Sequence, residues 1–199
     1  MQYPEFYEAI PTIKLQDELS EFLGAFEAGQ IEFSYLDVIK SAGHSCPTVL
    51  GAYLMTYKAL KSLFPEELPK RGNIKVEFKE MATEGVAGVI ANVITTITGA
   101  TTNYGFKGIA GNFDRRHLMF FEREIEGNAR FTRRDTGESV DVIYNPSLII
   151  PNEKMPALMQ KCVSRTASED EQKEFGRLWQ DRVERIAQSC DDVIAVNRV

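Results

Sequence analysis

Apolar residues recur at helical spacing between Pro47 and Phe64, where Val49, Leu50, Tyr53, Leu54, Tyr57, Leu60 and Phe64 share a face. Pro47 suits the first helical position, because its missing N–H would be an orphan there anyway, and Cys46 is then the predicted N-cap. Lys58 and Lys61 fall late in this helix, where the macrodipole favours cations. Upstream, residues 1–15 read as an extended lead-in punctuated by Pro4 and Pro11. Gln16 to Ala28 predicts a helix, with Leu19, Phe22, Leu23 and Phe26 on one face. Ile31 to Ile39 is ambiguous and fits a short strand running into a helical turn. The pattern then shifts to a period of two. Ile74 to Met81 alternates apolar and polar and predicts a strand. Tyr104 to Ile109, Leu118 to Ile125, Ala129 to Arg134 and Ser139 to Tyr144 also read as strands, with turns at Gly127-Asn128 and Asp135-Thr136-Gly137. Val86 to Ile97 fits a buried strand by its β-branched content, but its length, Gly and Ala favour a helix. The tail predicts helices over Glu153 to Val163 and Glu169 to Cys190.

Helices, then clustered strands, then helices is an α+β order, with a mixed or antiparallel sheet packed against helices. The long helix after the His-x-Cys-Pro loop and the helical C-terminal tail are its fixed points. The 199 residues fit a single domain, with a core at about 40–145 and a helical extension at about 151–199. Lysine and arginine number 23 against 29 acidic residues, a formal charge of −6. That balance argues against bulk binding to nucleic acid, which needs a basic face. Gly85 to Tyr104 is nearly uncharged but too polar for a membrane span. The N-terminus has neither the basic nor the apolar region of a signal peptide, and three irregularly spaced cysteines make no disulfide framework. A reducing cytoplasm is the expected compartment. Neither a dinucleotide glycine fingerprint nor a P-loop is present.

The chemistry concentrates in His44-Ser45-Cys46-Pro47. A helix N-terminus stabilises a thiolate, and a thiolate with a neutral imidazole suits Zn or another late transition metal such as Ni or Fe. The same residues could form a reactive cysteine with a local base, or simply a buried capping thiol with a hydrogen-bonded histidine. The only other histidine is His117, in Asp114-Arg115-Arg116-His117. Brought to the loop, it would make a His₂Cys set with an open fourth position, and Asp114 could be a ligand or orient a histidine. A surface turn explains the same four residues. Asn103, Tyr104 and Lys107, on a glycine-rich stretch, are candidates to line a ligand pocket with Asp114. Arg115, Arg116, Arg130, Arg133 and Arg134 form a basic cluster, read either as a solvated strand face or as the seat of an acidic ligand or partner. Cys162 and Cys190 fall on apolar helix faces and read as core.

The run from Gly43 to about Phe121 resembles the core domain of the FmdE-like family, named for a component of formylmethanofuran dehydrogenase. That family opens on His-Gly-His-x-Cys-Pro-Gly before a long helix, and Gly43-His44-Ser45-Cys46-Pro47 matches its centre. Ile74 to Met81, Glu84, Gly99-Ala100-Thr101 and Tyr104-Gly105-Phe106-Lys107-Gly108 follow in the family's order of strand, acidic residue, Gly-Cys-Thr stretch and glycine-rich loop. Ala42 stands where the family has its first histidine, Thr48 where it has glycine, and Ala100 where it has cysteine. Another family cysteine is missing around Ala87, Gly88 and Val89, and the paired cysteines of a C-terminal zinc finger are absent. His44 and Cys46 are the residues that carry over; His117 has no family motif behind it. The resemblance implies an accessory, pterin-free component associated with the molybdenum or tungsten enzyme that reduces CO₂ onto methanofuran. It also implies homodimers, for which Val86 to Ile97 offers apolar surface. Three functions follow as expectations: a metal-binding accessory component, a stand-alone enzyme acting on a small molecule through a metal-activated water, or a metal-free interaction component.

Overall fold

The computed structural model describes residues 2–199. In chain order its elements are α1 (Phe6–Ala9), β1 (Ile13–Gln16), α2 (Glu18–Phe22), β2 (Gln30–Phe33), α3 (Tyr35–Ala42), α4 (Pro47–Leu63), β3 (Ile74–Phe78) and α5 (Ala87–Thr98). They continue as β4 (Met119–Phe120), β5 (Ala129–Arg133), β6 (Ser139–Tyr144), α6 (Met155–Val163), α7 (Glu169–Gln188), α8 (Cys190–Val193) and β7 (Ile194–Arg198). This is the expected α+β architecture.

The main sheet has the order β4-β3-β5-β6-β7. β4 runs parallel to β3, and the other neighbours are antiparallel. β1 and β2 make a separate antiparallel ribbon. Alternation selects one face of the main sheet. Ile74, Val76 and Phe78 of β3, Ala129 and Phe131 of β5, and Val140 and Val142 of β6 are buried, while Lys75, Glu77, Arg130 and Thr132 between them are half-buried. Against this face lies α4, which also touches α3, α5 and α7. Its middle turns, Val49 to Thr56, are buried on every side, the pattern of a central helix. Cys46 caps it as expected: its Sγ accepts from the Val49 N–H at 3.4 Å, with Pro47 in the first turn. Among the described residues no helix is long and apolar enough to cross a membrane.

Several expectations are corrected. The helix expected from Gln16 to Ala28 is capped by Asp17 but ends at Phe22, before Gly24 at φ +66°, leaving Phe22, Leu23 and Phe26 exposed. The lead-in contains α1 and β1. Tyr104 to Ile109 is a loop, not a strand, because Gly105 and Gly108 take positive φ and break the extended path. Of Leu118 to Ile125, only Met119 and Phe120 pair. The tail is not helical to its end: β7 turns back and forms the edge of the main sheet beside β6. The basic cluster is a solvated face only in part, since Arg134 is exposed but others are not. Arg115 and Arg133 are buried, Arg130 pairs with Asp141, and Arg133 spans Glu67, Asp135 and the Leu63 carbonyl.

Candidate functional site

The His44-Ser45-Cys46 loop joins α3 to α4 and is tied down from several directions. Gly43, the C-cap of α3, takes φ +78°, a conformation that costs glycine little and turns the chain toward α4. Ser45 is buried and is the hub. Its hydroxyl bonds the Tyr35 hydroxyl at 2.9 Å, and its carbonyl accepts from Trp179 Nε1 at 3.1 Å and Gln180 Nε2 at 3.2 Å, both on α7. The Tyr144 hydroxyl donates to the Pro47 carbonyl at 2.7 Å. Burial pushes both phenols, Tyr35 and Tyr144, well above the usual range, so they stay neutral donors. The Tyr144 ring occupies the space that a side chain at Gly51 would need, so a glycine in the second turn of α4 lets it reach the loop.

The imidazole of His44 is exposed. Its Nδ1 lies 3.1 Å from the Ala42 carbonyl. A carbonyl only accepts, so this contact needs a proton on Nδ1, and Nε2 makes no hydrogen bond within the chain. The ring lines a groove of about 190 Å³ between α3 and α5, with Val38, Ser41, Val89, Asn92 and Val93. Cys46 is not part of that lining. Its half-buried thiol faces inward at the cap of α4.

His117 does not join them. It stands on the long loop between α5 and β4, exposed, in a left-handed conformation at φ 56°. There it borders a cleft of about 550 Å³ shared with Lys70, Arg71, Asp114, Arg116 and Arg134. Asp114 borders this cleft too, but its carboxylate is held by Arg116 through three bonds of 2.7–3.1 Å. Those bonds keep its pKa down at about 2, which makes it a weak general base at neutral pH. Asn103, Tyr104 and Lys107 stand exposed on the same loop, outside the lining of the cleft. Cys162 and Cys190 are half-buried, and burial pushes the Cys190 thiol up.

One chain therefore presents two soft-to-borderline donors in the loop, Cys46 Sγ and His44 Nε2. Among the described residues no three of His, Cys, Asp and Glu gather to hold an ion. Protein zinc sites use at least three protein ligands, so the donor set of a single chain is incomplete. The side chains that hold the loop and surround the cleft carry little sequence signal. Asp17, Lys70, Trp179 and Gln180 belong to no motif, and they come together only in the fold.

No curated protein matches the chain. Among solved structures, a tungsten formylmethanofuran dehydrogenase FmdE-like protein from Syntrophus aciditrophicus is similar over 84% of this chain and 72% of its own, at 14% identity and a TM-score of 0.46. The model of the family FmdE, Molybdenum formylmethanofuran dehydrogenase operon, matches residues 42–195. That match begins at the last residue of α3, takes in the His44-Ser45-Cys46 loop, α4 and the sheet, and runs into β7; the chain belongs to the FmdE family.

Proposed function

We propose that this chain is an accessory component working beside a formylmethanofuran dehydrogenase, and that His44 and Cys46 give it a metal-handling loop. In this reading the loop supplies two donors to one late transition metal, Zn being the first candidate and Ni or Fe the others. The observation that carries it is the loop itself. Its Ser45 is fixed by bonds from α3 and α7, while the His44 ring next to it stays exposed with Nε2 unoccupied by any bond. On its His44 side such a loop is held and yet accessible, which suits binding and release better than a closed structural site. The remaining ligands come from outside the chain, from water or from a second copy. Exposed Val86, the N-cap of α5, and Val89 on that helix offer apolar surface for a homodimer, and Val89 borders the same groove as His44.

Elemental analysis of untagged protein under reducing conditions tests this. We expect about one Zn, Ni or Fe per chain. Cys46→Ser and His44→Ala should each lose it, and Cys162→Ala should keep it. No metal after addition and dialysis, or unchanged content in the first two variants, overturns the loop as a metal site and leaves a metal-free interaction component. The stand-alone enzyme gains no support from the geometry, since Asp114, the base it would use, is committed to Arg116.

A further inference from the structure

The cleft that holds His117 is unlike the rest of this acidic chain. Six cations border it, Lys70, Arg71, Lys75, Arg115, Arg116 and Arg134, against two acids, Glu18 and Asp114. Neighbouring carboxylates neutralise only part of that charge. Arg116 is spent on Asp114 and Lys75 on Glu77. Arg71 and Arg115 both fall on Asp17, at 2.9 and 2.5 Å, so two guanidiniums share one carboxylate. Among the described residues Lys70 and Arg134 have no carboxylate partner at all. Six cations against Asp17, Glu18, Glu77 and Asp114 leave an excess of two positive charges, in a protein whose net charge is −6.

A second observation is independent of charge counting. Arg115 is only 6% exposed, lines the cleft, and its Nε has no hydrogen-bond partner among the described residues. Leaving a charged, buried donor unsatisfied is costly, and an anion seated against this guanidinium would offset part of that cost. The chain also accepts backbone strain to build this wall. Phe113 and His117 both sit at positive φ, 64° and 56°, without being glycine. Gly72 takes φ +83° and leaves room for the Arg115 guanidinium, since a Cβ there would fall 1.1 Å from its Nη1. Three separate segments thus converge on one point: the connection before β3, the loop before β4, and the end of β5.

We infer that this cleft binds a small, multiply charged anion carrying phosphate or carboxylate groups. Its size, about 550 Å³, is that of a small-molecule site. Planar guanidiniums with spare N–H donors match the paired oxygens of either group, and Lys70 and Arg134 supply charge at the rim. The site is separate from the His44-Cys46 loop and stands or falls without it.

Calorimetric titration of the full chain at low ionic strength tests the assignment, with pyrophosphate in one arm and citrate in the other. We expect at least one of them to bind below millimolar concentration and to weaken as salt is added. The anion that binds names the group, phosphate or carboxylate. The double variant Lys70→Gln/Arg134→Gln changes side chains without ion-pair partners, so its fold should persist, and it should bind about tenfold more weakly or worse. Absence of binding of both anions to the wild-type chain at millimolar concentration overturns the inference. So does a double variant that binds as tightly as wild type, because the binding would then lie elsewhere.

Discussion

Asp17 ties together three distant parts of the chain. It caps α2 through the amides of Leu19 and Ser20 and holds Arg71 and Arg115, partners 54 and 98 residues away. Burial opposes its ionisation, but the bond from Arg71 and the charge of Arg115 outweigh burial and keep its pKa below the ordinary value. A carboxylate with a lowered folded pKa stabilises the fold fully above its unfolded pKa of 3.8, and that contribution is lost as the pH falls through the lowered value. Asp17→Asn should therefore cost about 3–5 kcal/mol near neutrality, because it leaves two largely buried cations without a counter-charge. It should also flatten the loss of stability below pH 4. Urea unfolding of both proteins across that range checks both; an unchanged acid slope in the variant would show that Asp17 is not the group responsible. None of this is legible in the sequence. Asp114-Arg115-Arg116-His117 reads there as a possible ligand set, yet its buried member is Arg115, whose partner is an ordinary-looking aspartate in another helix cap. Single-chain patterns register charge and spacing, but not which cation the fold will strip of water.

At the scale of elements, legibility follows how local the cause is. The start of α4 is readable because the cap, the proline and the apolar face all lie within a few residues of one another. β3 and the hairpin of β5 and β6 are readable because one face is buried, which enforces alternation. The strand expected at Tyr104 to Ile109 fails because Gly105 and Gly108 allow a conformation that the apolar pattern does not report. β7 escapes the pattern because it is a short edge strand with exposed positions, and its partner β6 lies far back in the chain. The cap of α4 also makes the metal experiment clean. Serine is among the best N-caps, so Cys46→Ser should keep the Val49 amide satisfied and unfold within about 0.5 kcal/mol of wild type. Cys46→Ala removes the acceptor and should cost about 1 kcal/mol. Thermal unfolding of the two variants separates capping from metal ligation. If serine proved as destabilising as alanine, loss of metal in Cys46→Ser could no longer be assigned to the ligand itself.

Across the whole molecule, the two ends of the chain close over the loop that carries His44 and Cys46. Tyr7 near the N-terminus donates to Gln180 on α7, Gln180 and Trp179 donate to Ser45, and β7 beyond them completes the sheet under α4. The Ser45 carbonyl accepts both α7 donors, so each guards against the loss of the other. Trp179→Phe removes one N–H and keeps an aromatic ring; Gln180→Met removes the other and keeps a similar length. Each single change leaves the carbonyl one partner; Trp179→Phe should cost about 1 kcal/mol for its hydrogen bond, and Gln180→Met about 2 kcal/mol, because the Tyr7 hydroxyl loses its acceptor as well. The double change orphans a part-buried acceptor, so its cost should exceed the sum of the singles by a coupling of about 0.5–3 kcal/mol. Urea unfolding of the four proteins gives that coupling. Hydrogen exchange at the Val49 amide, which reports the Cys46 cap, should accelerate most in the double variant. Simple additivity would mean that the tail merely packs beside the loop. A clear coupling would mean that the tail sets the loop's geometry, and that His44 and Cys46 are positioned by residues more than a hundred positions away in sequence.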